Sequence, residues 1–190
     1  MRALVFIDGN NFYFRLKDLA NQINSKSPLI DFGFYRFAEK LIRPHDLVGV
    51  RYYIGALKRQ KNNSKSEKMY ADQQKLLAKL RTQNVAVILG QLIQHPDKSF
   101  HEKGVDVRLA VEMIRFARED KYDIAYLISS DTDLVAAIEE VKSFKKKVVY
   151  VGVPKGQSFG LTKTADDTLL LRPDDIKSFL PPRTESHEQQ

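Results

Sequence analysis

Asp8, Asp106, Asp131 and Asp133 are the side chains whose type and placement could do chemistry in this chain. Asp8 ends the apolar run Ala3-Leu4-Val5-Phe6-Ile7 and is followed by Gly9-Asn10-Asn11. Asp131 and Asp133 follow a second apolar run, Ile124-Ala125-Tyr126-Leu127-Ile128, across Ser129 and Ser130. Carboxylates gathered in one crevice at neutral pH repel one another unless a proton or cation compensates them. A meeting of these four would therefore call for an ion. The chain has no cysteine, which removes disulfides, thiolate ligands and a thiol nucleophile. Oxygen ligands select a hard ion, Mg²⁺ or Mn²⁺. Such an ion activates water and stabilises the attacking and leaving oxygens of phosphodiester hydrolysis.

The elements that must position these groups follow from hydrophobic patterning. Both apolar runs read as strands buried on two faces, the kind found inside parallel sheets. In open α/β sheets ligands bind at the carboxyl ends of such strands. Gly9 is expected to supply a tight turn and Asn11 to cap a helix from Phe12 to Ala20. Phe12, Leu16, Leu19 and Ile23 recur at helical spacing, and the aromatics of this helix are assigned to the core. Further helices are predicted over 34–42, 66–82, 103–119, 161–165 and 173–180, and strands over 48–57, 85–89, 148–151 and 168–171. Residues 91–102 read as a hairpin-like excursion around Pro96-Asp97-Lys98, carrying the solvated His95 and His101.

In the helix over 103–119, Asp106, Leu109, Ala110, Met113 and Ala117 share a face, which turns Asp106 inward from the first turn. Arg108, Glu112, Arg115 and Glu119 share the opposite face, suited to exposed ion pairs, so Glu112 is read as structural. Either Ser130 or Asp131 can cap the helix that follows. Capping explains one acidic residue there and leaves the second over. The alternation of strands and helices predicts an α/β three-layer sandwich, a mostly parallel central sheet with helices on both faces. One domain is expected over 1–180, with a disordered polar tail over 181–190.

The net charge of +7 favours polyanionic partners. Lys58, Arg59, Lys61 and Lys65 follow a strand's carboxyl end and so lie on the rim that bears Asp8. Lys155, in the Gly- and Ser-containing stretch 152–160, returns to that rim, and Lys103 precedes Asp106. These six are the candidate phosphate contacts. Lys145-Lys146-Lys147 precedes a strand and is assigned to a solvated face at the other end. No signal peptide or membrane span is legible, so a cytoplasmic protein without a membrane partner is expected.

Three stretches resemble the NYN domain, a branch of the PIN-like nuclease superfamily, and in particular its bacterial LabA-like members. They are Phe6-Ile7-Asp8-Gly9-Asn10-Asn11, Lys103-Gly104-Val105-Asp106-Val107 with Leu109-Ala110-Val111, and Ser129-Ser130-Asp131-Thr132-Asp133-Leu134. A weaker match is Ser158 with Leu161 and Ala165-Asp166. The resemblance implies a PIN-like Rossmannoid sheet and an Mg²⁺- or Mn²⁺-dependent ribonuclease site; with the carboxylates and the basic rim, the expected partner is RNA, single-stranded by preference. It implies that Asp8, Asp106 and Asp131 bind or organise the metal, with Asp133 a fourth ligand. Asn11 and Ser130 would orient those ligands or the water. Relatives often carry Asp where this chain has Glu112, so the longer arm would alter the site if that position contributes to it.

The alternative is a non-catalytic RNA-binding or regulatory module that keeps the acidic pocket. A phosphatase of the haloacid dehalogenase type needs a second Asp two residues after the first, where Asn10 stands. A dinucleotide site needs partner glycines after Gly9 that are absent.

Overall fold

A computed structural model of the chain describes residues 1–25, 27–57, 59, 63–94 and 100–181, with the backbone alone for 91–94 and 100–103. Its centre is a six-stranded sheet in the order β3-β2-β1-β6-β7-β8, with every pairing parallel. The strands are β1 (Arg2–Asp8), β2 (Asp46–Ile54), β3 (Ala86–Leu89), β6 (Ile124–Ile128), β7 (Lys147–Gly152) and β8 (Asp167–Leu170). β4 (Gln91–Gln94) and β5 (Phe100–Lys103) form a separate antiparallel pair. The hairpin expected there is therefore present, while His95 and the Pro96-Asp97-Lys98 turn lie outside the described residues.

The helices are α1 (Gly9–Gln22), α2 (Phe34–Leu41), α3 (Ser64–Thr82), α4 (Val105–Arg118), α5 (Val135–Ser143), α6 (Phe159–Thr164) and α7 (Pro173–Lys177). Strand alternation divides the core in two. Ala3, Val5 and Ile7 face a cluster built with α1, α2, α3 and α7, including Phe12, Phe37, Leu77 and Ile176. Leu4 and Phe6 face a second cluster built with α4, α5 and α6, including Leu109, Met113, Ile138 and Leu161. Asp8 has the same parity as Leu4 and Phe6, so it leaves the strand on the α4 and α5 side.

Three sequence-based expectations are corrected here. The cap of α1 is Asp8, whose carboxylate accepts from the Asn11 amide, and the helix already includes Gly9. Gly9 is needed for close approach: a Cβ there would lie 2.4 Å from the Tyr52 ring and 2.7 Å from the Tyr53 carbonyl oxygen. On α1, Phe12 is core as expected, but Tyr13 and Phe14 are 45% and 64% exposed.

The third correction concerns α4. Its inward stripe is Val105, Leu109, Glu112, Met113 and Ala117, leaving Asp106 exposed. The observed and expected stripes share Leu109, Met113 and Ala117, so the buried face is turned by only about half of the roughly 100° that separates successive residues. That one rotation carries Asp106 out of the core and Glu112 into it.

Candidate active site at the strand ends

β1 and β6 are adjacent, and from this pair the chain winds outward in both directions: β2 and β3 to one side, β7 and β8 to the other. The carboxyl ends of β1 and β6 therefore flank the topological switch point, where loops on either side diverge and leave a crevice. Asp8 stands at the first of these ends and Ser129, Ser130 and Asp131 at the second.

Asp8 is only 3% exposed. Its Oδ1 accepts from the Asn11 backbone amide at 3.1 Å. Its Oδ2 accepts from Asn11 Nδ2 at 2.6 Å and from Ser129 Oγ at 2.9 Å. Ser130 Oγ donates to Asn11 Oδ1, which orients the amide so that its NH₂ faces Asp8. The three donors to Asp8 are all neutral, and the amino end of α1 adds a favourable dipole. Burial and then the charge of Asp8 hold the Tyr52 phenol above its ordinary range, and that phenol donates to the Gly9 carbonyl at 3.2 Å.

Ser129 joins the two strand ends. While donating to Asp8, its hydroxyl accepts from the Asp131 amide at 3.1 Å. Asp131 in turn caps the short 3₁₀ turn Thr132–Leu134, accepting from the Asp133 amide at 3.0 Å. The capping role foreseen for Ser130 or Asp131 thus falls to Asp131. Ser129 was not singled out as a site residue from sequence; its place as the first residue after the buried run, two before Asp131, was the available signal. Arg15 was also missed: it lines the small crevice beside Asn11, Ser129 and Ser130, and reaches the Gly156 carbonyl at 3.4 Å.

The four aspartates are not drawn into one tight cluster. Asp8 and Asp131 are linked through Ser129, whereas Asp106 is exposed on the first turn of α4 and Asp133 is exposed on the 3₁₀ turn. Among the described residues, no group of three or more His, Cys, Asp or Glu side chains is arranged to hold a metal ion. The donor chemistry nevertheless suits a hard divalent cation, since carboxylate and hydroxyl oxygens dominate.

Glu112 belongs to a different site. Its Oε2 accepts from Tyr53 Oη at 2.8 Å and pairs with Arg51 Nη2 at 2.6 Å. Its Oε1 lies 3.6 Å from Arg108 Nε and 4.0 Å from Arg115 Nη2, so the expected helix-face pairs exist around a buried carboxylate. Burial pushes the Glu112 carboxyl up, but the Tyr53 hydroxyl and the Arg51 guanidinium outweigh it and hold its pKa below the ordinary value. The group ties α4 to β2.

Of the candidate phosphate contacts, Lys65 and Lys155 are exposed. Arg59 is exposed and paired with Glu67 at 3.0 Å. Lys58 and Lys61 lie outside the described residues, and Lys103 is described only by its backbone. Lys146, assigned to a solvated face, instead bonds Asp120 and lies 3.9 Å from Asp123. Ser158 caps α6 through the Leu161 amide at 3.3 Å, which gives that weaker motif a structural purpose.

Among the described residues no helix is long and apolar enough to cross a membrane. A family model described as NYN domain matches residues 2–171. A solved structure of a protein of unknown function from Vibrio parahaemolyticus, VPA0982, is similar in fold. It is 23% identical, covers 92% of this chain and 94% of its own, and superposes with a TM-score of 0.66. A putative aminotransferase from Clostridium difficile, at 9% identity over 75% of this chain and 41% of its own, has a TM-score of 0.28. No curated protein sequence matches the chain.

Proposed function

We propose, because this chain belongs to the NYN domain family and so to the PIN-like nuclease superfamily, that it is a divalent-metal-dependent endoribonuclease acting on single-stranded RNA, of the LabA-like branch. The observation that carries the reading is the Asp8–Ser129–Asp131 linkage at the switch point. Asp8 and Asp131 would hold Mg²⁺ or Mn²⁺, with Asp106 and Asp133 as the further carboxylates on that rim. When bound, such an ion supplies a Lewis acid and an activated water for phosphodiester hydrolysis.

The chain's own contribution is orientation. Asn11 grips Asp8 by side chain and backbone, Ser130 fixes the sense of the Asn11 amide, and Ser129 ties the two strand ends together. With these donors on one side, the carboxylates can turn their remaining lone pairs toward a ligand in the crevice. RNA binding is the general property of NYN domains, and the net charge of +7 supports it.

A specific observation favours the second reading, a non-catalytic RNA-binding or regulatory module: Asp8 and Asp131 both serve as helix caps. A carboxylate can be kept for capping alone. The two readings separate in one assay. Purified protein in Mn²⁺ is expected to cleave a labelled unstructured RNA, EDTA to stop it, and Asp8→Asn to slow it by at least about a hundredfold. Circular dichroism should show that the variant is folded. Equal cleavage by both proteins would sink the nuclease reading, and RNA binding that persists in EDTA without any cleavage would favour the module.

A further inference from the structure

We infer that the cleft between α1 and α3 is a binding subsite for an unpaired nucleobase of the RNA strand held at the Asp8 site. The inference rests on the proposed RNA-cleaving function and names where the substrate's bases would go. The cleft has a volume of about 590 Å³, within the range that small-ligand pockets occupy. Gly9 and Asn10 line it, so an occupant would touch the two residues that directly follow Asp8. The cleft thus begins at the first residues of α1, next in the chain to those of the strand-end crevice, which Asn11 lines.

Its walls are unusual for a surface. Tyr13, Phe14, Leu57 and Met69 line it at 45%, 64%, 37% and 49% exposure, while the Phe34 and Tyr52 rings beneath are buried. Large apolar side chains gathered around one concavity mark a binding surface when they remain open to water. Flat rings and a polarisable thioether at its mouth suit a flat π system. Bases stack on such side chains whatever their identity, whereas a paired base offers only its edge.

The cleft is also held open. Gln73, buried, accepts from the Leu57 amide at 2.9 Å and donates to the Gly55 carbonyl at 2.7 Å. This clamps the exit of β2 against α3 and fixes the wall. Along the first turns of α3 the exposed Lys65 and Lys68 face solvent beside Met69, cations placed for the phosphates that flank a docked base. Asp72, also on the lining, can accept from a base amino group.

The test places 2-aminopurine in an unstructured RNA and follows its fluorescence on adding the protein. Stacking should quench the signal. Phe14→Ala is expected to abolish the quench, weaken RNA binding about tenfold and raise KM for cleavage to match. Phe14→Tyr should restore all of these, and an abasic nucleotide in the RNA should mimic the alanine variant. Absence of quenching with the native protein, or no change in Phe14→Ala and Met69→Ala, overturns the subsite even if the RNA is cleaved. Quenching that depends on Phe14, without cleavage in Mn²⁺, keeps the subsite and sinks the hydrolytic reading. Equal competition by a duplex of the same sequence, or by adenosine monophosphate at the affinity of the RNA, would also overturn it.

Discussion

A buried carboxylate can be a structural cap, an ion-pair partner or a ligand, and Asp8 and Glu112 show how its neighbours decide. Asp8 is met by neutral donors, two from Asn11 and one from Ser129. Glu112 is met by Arg51, Arg108 and Arg115 and by a tyrosine hydroxyl, which uses its charge inside the protein. Glu112→Gln should therefore leave RNA cleavage almost intact and destabilise the fold at neutral pH. The loss should be about 2–3 kcal/mol, near the lower edge for buried pairs because Arg51 keeps part of its surface in water. The folded-state pKa of Glu112 lies below its ordinary value of 4.5, so its ionised form contributes stability that is present above that value. That contribution is lost as pH falls through the folded-state pKa. Urea titrations at a series of pH values should accordingly show the two proteins converging as the pH is lowered beneath the ordinary glutamate value; a gap that stays constant would reject the assignment.

At the scale of elements, a related device appears twice: a buried parallel strand leads to an acidic residue that caps the next helical turn, Asp8 as the last residue of β1 and Asp131 three residues beyond the end of β6. It occurs at β1 with α1 and at β6 with the 3₁₀ turn before α5. Because the two strands are neighbours, the Ser129 hydroxyl reaches both caps, donating to the Asp8 carboxylate and accepting from the Asp131 backbone amide. The fit of α1 against β2 holds this arrangement. A methyl group at position 9 would meet Tyr52 at 2.4 Å and the Tyr53 backbone at 2.7 Å. Gly9→Ala should then cost roughly 1–3 kcal/mol in a urea melt through overpacking, beyond what better helix propensity of about 1 kcal/mol returns. It should also slow cleavage, since α1 carries Asn11. An unchanged melting curve would show that α1 can shift freely and would remove the reason given for the glycine.

On the scale of the whole molecule, the sheet order puts the Asn11–Ser129–Ser130 crevice at the switch point, the aromatic cleft on one side of it and the Lys155 loop on the other. A strand of RNA crossing this rim would meet cations at both ends. Replacing Lys65 and Lys155 together with alanine is expected to flatten the dependence of log K on log salt by about 1.4, at roughly 0.7 per phosphate contact for single strands. Filter binding across a salt series measures the slope, and an unaltered slope would take these two residues out of the RNA path. Arg59 should matter less, because Glu67 already occupies it.

Much of this protein was determined by its sequence alone, because the signals concerned are local. Apolar runs named the buried strands β1 and β6, the residues that end them named Asp8 and Asp131, and their alternation with helices predicted the parallel three-layer sheet. Proximity was decided only by the tertiary structure. Whether β1 lies next to β6 depends on pairing across more than a hundred residues of chain, which no local pattern encodes, and it is this pairing that lets Ser129 bridge Asp8 and Asp131. The rotation of α4 was undecidable from periodicity because a stripe starting at Val105 and one starting at Asp106 share Leu109, Met113 and Ala117. Packing chose the first, since Arg51 and Tyr53 on β2 offered Glu112 the hydrogen bonds that a buried carboxylate requires.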